Sequence, residues 1–566
     1  MGAAKNAINP VIKLPQGTVI GLTLEESLPK PIDAFRGIPY ALPPTGDRRF
    51  RPAVKVASSP ENVIDGSRYG PAAPGKPLLA GGPKLEYSED CLTANVFRPS
   101  SPSTENVLKL PVAIYIHGGA FNRGTSSMHN TASMVAWSEA PFVAVSFNYR
   151  IGALGFLPSA LTAKEGSLNL GMRDQIVLFE WVKDNIGAFG GDPDNVTLVG
   201  LSAGAHSVSR LFVRAYHYLT WDFLQIGHHL MHFTEGKTPL FDRVVIESGA
   251  PTSRAVRPYD ASIHEEQFKD FLEATGCRKD RPDDEIFPYL RSLPSEVVTS
   301  AQTAVFDKYN PSLRWAFQPI IDGDIIPRPP LETWLSGKWH KVPIVTGFNR
   351  NEGSLYVDKQ MSNPEQFTDF FAKLLPLLSP SDIETIDALY PNPSRDAQSP
   401  YLEDRKSVGA QYKRIEAAYA HYAYVAPVRQ TAELASKAAS APVYLYQWAL
   451  DSSIIEGARH GDNMRYEVVD PAVVKISAAQ RDIARTTNAY ITSFIATGDP
   501  NKIVPKDLPL PQWAPYTAEA PKAMVFGAEN KELVGGEAGP AAQLLDDTWG
   551  RKESEFWWSK VELSQQ

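Results

Sequence analysis

The sequence predicts an α/β fold built on a large, mostly parallel, twisted sheet, with helices on both faces and long loop insertions. Three observations carry this. Short apolar runs bounded by turn residues recur at 92–97, 112–116, 143–147, 196–199, 243–246, 343–346 and 443–448, and such runs fit strands buried on both faces. The segments between many of them have helical patterning, so strands alternate with helices and the sheet is largely parallel. The run Val196-Thr197-Leu198-Val199 leads directly into Gly200-Leu201-Ser202-Ala203-Gly204, a GxSxG pattern that reads as a strand turning sharply into a helix with the serine at the apex.

In chain order, residues 17–50 read as short antiparallel strands with a proline-rich loop. Residues 172–186 carry apolar side chains at helical spacing and should form an amphipathic helix stopped at Gly187. The 566 residues are 43% hydrophobic and 21% charged, the balance of a globular protein with a large core. No Pro/Ser linker, repeat or low-complexity tract divides them, so one domain over 1–566 is expected. A net charge of -8 gives no electrostatic reason to bind nucleic acid or acidic lipid. Residues 1–13 hold no apolar run, and no stretch approaches the roughly 20 apolar residues of a membrane span. Cys91 and Cys277 are the two cysteines, too few for a disulfide framework or a structural zinc site. Together these predict a soluble, cytoplasmic protein.

A serine hydroxyl becomes a nucleophile only with a base in reach, a carboxylate to orient the base, and donors for the oxyanion that develops. Candidates for all three are present. Ser202 is the candidate nucleophile. After the run 112–116 comes His117-Gly118-Gly119-Ala120-Phe121, whose glycines leave backbone N–H groups uncovered; with the N–H of Ala203 they could form an oxyanion hole. Among 11 histidines, His460 stands out in the loop Gly457-Ala458-Arg459-His460-Gly461-Asp462 after a late strand. Glu352, in Asn349-Arg350-Asn351-Glu352-Gly353-Ser354, follows the run 343–346. The chain order Ser, acid, His suits this architecture. No metal or cofactor is called for.

On these and further motifs the chain resembles the type-B carboxylesterases, the cholinesterase-like branch of the α/β-hydrolases, from about residue 15 to about residue 530. The motifs are FRGIPY at 35–40, EDCL at 89–92, NYR at 148–150, GGDP at 190–193, ESG at 247–249, EGS at 352–354, HG at 460–461 and TGDP at 497–500. The resemblance implies a triad of Ser202, Glu352 and His460 and an oxyanion hole of Gly118, Gly119 and Ala203. It also implies buried ion pairs Arg49–Glu89 and Arg150–Asp174, and a hydroxyl on Ser248 near the acid. The expected reaction is hydrolysis of an uncharged small-molecule ester through an acyl-enzyme. The rival readings are the same fold impaired by an insertion, and a non-catalytic adhesion protein of cholinesterase-like fold.

Four departures from the family pattern refine this. Secreted relatives pair the cysteines at the Cys91 and Cys277 positions with partners that are missing here, which favours a reducing compartment. Leu201 stands where many relatives carry glutamate, and residues 70–90 lack the tryptophan that faces a quaternary ammonium in cholinesterases, so a choline ester is not the expected substrate. Trp315 and Phe317, in Arg314-Trp315-Ala316-Phe317-Gln318-Pro319, resemble an aromatic acyl pocket suited to short acyl groups; as ordinary core aromatics they would look the same. Finally, residues 208–225, VSRLFVRAYHYLTWDFLQ, interrupt the helix after the elbow. The segment opens with Val-Ser-Arg, compatible with GTAAGT-like codons, and ends in Gln, compatible with CAG. It reads as a translated intron, or else as a genuine helical insertion.

Overall fold

The computed structural model describes residues 9–78, 85–100, 109–206, 227–231, 238–253 and 256–564; the insertion 208–225 lies outside them. Fourteen strands are formed by these residues: β1 Val11–Leu14, β2 Gly17–Ile20, β3 Leu22–Leu24, β4 Ile32–Pro39, β5 Val63–Asp65, β6 Thr93–Pro99, β7 Leu110–Ile116, β8 Val143–Phe147, β9 Gly191–Leu201, β10 Arg243–Glu247, β11 Ile344–Asn349, β12 Val443–Trp448, β13 Lys522–Phe526 and β14 Ala542–Asp546. Strands β1, β2 and β5 make a small N-terminal sheet. The other eleven form one sheet in the order β14-β13-β12-β11-β10-β9-β7-β8-β6-β4-β3.

From β8 through β7, β9, β10, β11 and β12 to β13 every pairing is parallel, while β3, β4, β6 and β14 pair antiparallel at the two sides. The alternation of side chains explains why the central strands read as unbroken apolar runs. On β7 and β8, Val112, Ile114, Val143 and Val145 face one core, whereas Ala113, Tyr115 and Ala144 face the other. A strand buried on both faces has no polar face to show. A third apolar cluster, rich in tyrosine, includes Trp315, Phe371, Tyr419 and Tyr424 and lies to one side.

Two local details differ from the sequence reading. The helix after β8 spans Leu170–Asn185 and passes through a 3-10 turn, Ile186–Phe189; the stop glycine is Gly190, at φ 84°, rather than Gly187. Strands β13 and β14 emerge at the far edge, where no run was read. The ion pairs implied by the family likeness are present. Arg49 Nε and Nη2 donate to the Glu89 carboxylate at 2.8 and 2.7 Å, and Arg150 Nε and Nη2 to Asp174 at 2.8 and 2.6 Å, all buried. Removing one partner of such a pair leaves a buried charge and costs about 3–5 kcal/mol. Cys91 and Cys277 are both buried thiols without a disulfide, and burial pushes Cys91 up from its ordinary value.

Candidate active site

The parallel strands deliver the candidate residues to one edge of the sheet. In register, Leu201 at the end of β9 is opposite Glu247 at the end of β10, which is opposite Gly347 on β11, and Asn349 is opposite Trp448 at the end of β12. Ser202 follows β9, the Glu352 loop follows β11, and the His460 loop follows β12. They therefore share the carboxyl end of the sheet, where α/β folds bind ligands.

Ser202 is 6% exposed and holds φ 55°, a left-handed conformation uncommon for a residue with a side chain. Its N–H donates to the Glu247 carbonyl at 2.9 Å, which ties the turn to β10. The flanking glycine is a steric requirement: a Cβ on Gly200 would lie 2.5 Å from the Gly204 carbonyl oxygen. Leu201 reaches the base loop, since a Cβ on Gly461 would be 3.6 Å from Leu201 Cδ2. The residues next to the nucleophile and next to the base thus pack together.

His460 Nδ1 is 2.5 Å from Glu352 Oε2, and the other carboxylate oxygen, Oε1, accepts the Asn349 N–H at 2.7 Å. Glu352 is fully buried. Tyr424 and Tyr356 flank the imidazole, with ring centroids 4.8 and 5.6 Å away. The acid and base loops are zipped to each other. Asn351 donates its N–H to the Ala458 carbonyl at 2.9 Å and accepts the Ala458 N–H on its side-chain oxygen at 3.1 Å. From behind, Glu416 accepts from Asn351 Nδ2 at 3.2 Å and from the Gly353 N–H at 3.1 Å. Burial pushes Glu416 up to about 8, so it is largely protonated at neutral pH and adds little negative charge beside Glu352.

The turn after β7 approaches Ser202 closely. A Cβ on Gly118 would fall 2.7 Å from the Leu201 carbonyl oxygen and 2.9 Å from Ser202 Cβ. Two side chains pin the carbonyls here. Tyr149 donates its hydroxyl to the His117 carbonyl at 2.8 Å, and His117 Nδ1 lies 2.9 Å from the Gly118 carbonyl oxygen. His117, which burial pushes down to about 4, is neutral and donates from Nδ1. In a planar trans peptide the N–H points opposite the carbonyl, so the pinned carbonyls aim the Gly118 and Gly119 N–H groups to the other side of the turn. Neither N–H bonds to a described residue. Ala203 opens the short helix Ala203–His206 and is buried beside them.

The remaining candidates separate. Ser248, at φ 49°, donates its N–H to the Gly347 carbonyl at 2.8 Å, but its buried hydroxyl makes no hydrogen bond with a described residue. The segment holding Trp315 and Phe317 is bonded to the turn: Gln318 Nε2 donates to the Ala120 carbonyl and Asn122 Nδ2 to the Ala316 carbonyl, both at 3.0 Å. Trp315 stands 5.5 Å from Tyr356, one ring removed from His460. Phe317 packs edge-on against Phe271 in the main core, as an ordinary core aromatic would. Sequence reasoning missed Glu416, Asn351, Tyr149, Tyr356 and Tyr424 as supports; their partners are tens to hundreds of positions away, so no local spacing announces them.

The sheet order, the strained serine and the buried carboxylate–imidazole pair define a member of the α/β-hydrolase class. Residues 8–541 match the model of the carboxylesterase family. The chain is 31% identical over 550 residues to Secreted lipase 4 of Gibberella zeae, covering 96% of this chain and 91% of that protein. It is 28% identical to the Secreted triacylglycerol lipase LIP1 of the same organism, over 94% and 88% of the two chains. The crystal structure of Aspergillus niger EstA superposes with a TM-score of 0.80 at 26% identity, covering 99% of this chain and 100% of that one. The chain belongs to the carboxylesterase family and is a carboxylic ester hydrolase.

One expectation is corrected by these relatives. A cytoplasmic location was read from the cysteines and the first residues, yet both lipases are named as secreted. The cysteines were poor witnesses for a physical reason. A chain of this size buries a core large enough to be stable without disulfides, so two buried thiols do not report the compartment. Among the described residues no helix is long and apolar enough to cross a membrane.

Proposed function

We propose that the chain hydrolyses carboxylic esters through an acyl-enzyme formed on Ser202. The observation that carries the reading is the buried Glu352–His460 contact of 2.5 Å, on a loop packed against the residue preceding Ser202. His460 takes the proton of Ser202 as its oxygen attacks the ester carbonyl, then gives it to the departing alcohol; Glu352 fixes the imidazole and stabilises its charged form. The tetrahedral oxyanion is received by the N–H groups of Gly118, Gly119 and Ala203. Water, deprotonated by His460, attacks the acyl-enzyme and releases the acid. Trp315 supports an acyl wall, Phe317 has the contacts of a core residue, and Ser248 acts through the strand end beside the acid loop. Leu201 and the absence of tryptophan from residues 70–90 favour an ester without a quaternary ammonium.

The test is intact mass after exposure to a fluorophosphonate. One adduct is expected on the parent and none on Ser202→Ala, whose kcat toward 4-nitrophenyl butyrate should fall by about 10⁴-fold or more. Equal labelling of both would reject Ser202 as the nucleophile.

A further inference from the structure

Beside the proposed acyl wall lies a small cavity, about 50 Å³, lined by Arg257, Arg314, Trp315, Gln318, Tyr419 and Tyr422 among others. That is room for several waters or one carboxylate group. Two guanidiniums line it, and neither makes an ion pair or a side-chain hydrogen bond with a described residue. Arg314 Nε is buried with no acceptor. Burial, with Arg314 adding to it, pushes Arg257 down to about 10, so Arg257 remains a cation at neutral pH. The surroundings respond to that positive field. The neighbouring buried His264 is pushed down to about 3 by burial and by the charges of Arg257 and Arg314.

Two half-buried guanidiniums without a carboxylate between them are an incomplete arrangement. Each presents a planar fork that matches a carboxylate, and a buried cation is costly until an anion satisfies it. Among the described residues the buried arginines Arg49, Arg150, Arg414 and Arg429 each have such a partner, in Glu89, Asp174, Asp387 and Asp547; half-buried Arg243 has none, but its guanidinium bonds neutral oxygens of Asn195, Thr197 and Ile495. Two residues lining the cavity also touch neighbours of the proposed site. Gln318 bonds the Ala120 carbonyl, next to Gly119, and Trp315 meets Tyr356, which meets His460.

We propose that Arg257 and Arg314 form an anion subsite that receives a carboxylate carried at the far end of the acyl group, so that half-esters of linear dicarboxylic acids are a preferred substrate class. This deepens the reading of Ser202 as an acyl-forming nucleophile and rests on it. It replaces the uncharged ester expected from sequence, because Leu201 and the lack of tryptophan in residues 70–90 remove only groups that would hold a cation.

The experiment measures kcat/KM for 4-nitrophenyl half-esters of adipic to sebacic acid against neutral acyl esters of equal length, with Ser202→Ala rates subtracted to remove attack by the substrate's own carboxylate. At one chain length the anionic ester should lead by about 10-fold or more. In Arg257→Gln and Arg314→Gln that lead should fall at least 10-fold, with neutral esters nearly unchanged, and Arg257→Lys should restore part of it. Binding of adipate, followed by calorimetry on the same proteins, should weaken in parallel. A neutral ester preferred at every length, a lead untouched by either variant, or a lead found only when the carboxylate is on the leaving alcohol overturns the proposal. If no ester is turned over and no fluorophosphonate adduct forms, the triad reading fails by itself, and adipate binding alone decides the subsite: binding lost in both glutamine variants upholds it, and no binding to the parent sinks it.

Discussion

The nucleophile turn and the acid–base arm are held in place by different physics. Ser202 is fixed by backbone sterics: a left-handed φ of 55°, a glycine whose Cβ would meet the Gly204 carbonyl, and an N–H tied to β10. Glu352 and His460 are fixed by polar side chains, with Asn349, Asn351 and Glu416 holding two loops that come from strands almost a hundred residues apart. A steric device fails abruptly, because overlapping atoms cannot be accommodated by degrees. A hydrogen-bonded device weakens in steps, each bond contributing about 0.5–1.5 kcal/mol net.

The sharpest break of that contrast is Gly118→Ala. Its Cβ would be 2.7 Å from the Leu201 carbonyl oxygen and 2.9 Å from Ser202 Cβ, so the turn must shift away from the serine and the oxyanion donors with it. A loss of about 10²–10³ in kcat is expected, with the chain still folded by circular dichroism. Activity within twofold of the parent would show that the turn yields, and the steric account would fall.

Asn351→Ala tests the other arm. It removes the acceptor for the Ala458 N–H and the donor to Glu416, leaving two buried groups short of partners. Stability in urea should fall by about 1–3 kcal/mol and kcat by about 10-fold, with KM little changed, because the arm loosens without touching substrate. A kcat loss as large as that of Gly118→Ala would mean the two arms are equally brittle.

The smallest effect is read by pH. Glu416 sits at about 8 in the fold, against about 4.3 for an unfolded glutamate. The folded state therefore binds this proton more tightly, and its contribution is complete below about 4.3, declines as pH rises, and is gone above about 8. Melting temperature should drop by several degrees across that window, and Glu416→Gln should flatten the drop, leaving the rest of the profile in place. Parallel profiles for parent and variant would show that Glu416 is not the buried acid that titrates there.

What could be read in the chain follows the same division. GxSxG announces itself because sterics act between neighbours, and glycines at fixed offsets are the only solution to a crowded turn. Buried strands such as 143–147 and 443–448 were legible to the residue, since both faces are apolar. The last strands β13 and β14 were not: β13 is a short run of five residues beside the edge, and β14, the edge strand itself, needs no unbroken apolar run and exposes Leu545 and Asp546. Glu352 and His460 were legible by motif and order, but the contact between them is a tertiary fact.

By itself the sequence determined the sheet, the strained serine, the order of the reactive groups and the family, all of which rest on local patterns of size and polarity. Only the tertiary structure decided that Tyr149 and His117 turn two peptide N–H groups to the far side of the turn from their pinned carbonyls, that Glu416 braces the acid loop while nearly neutral, and that Arg257 and Arg314 share a cavity. Those outcomes depend on which distant residues meet and how much water is excluded where they do. No spacing along the chain encodes either quantity.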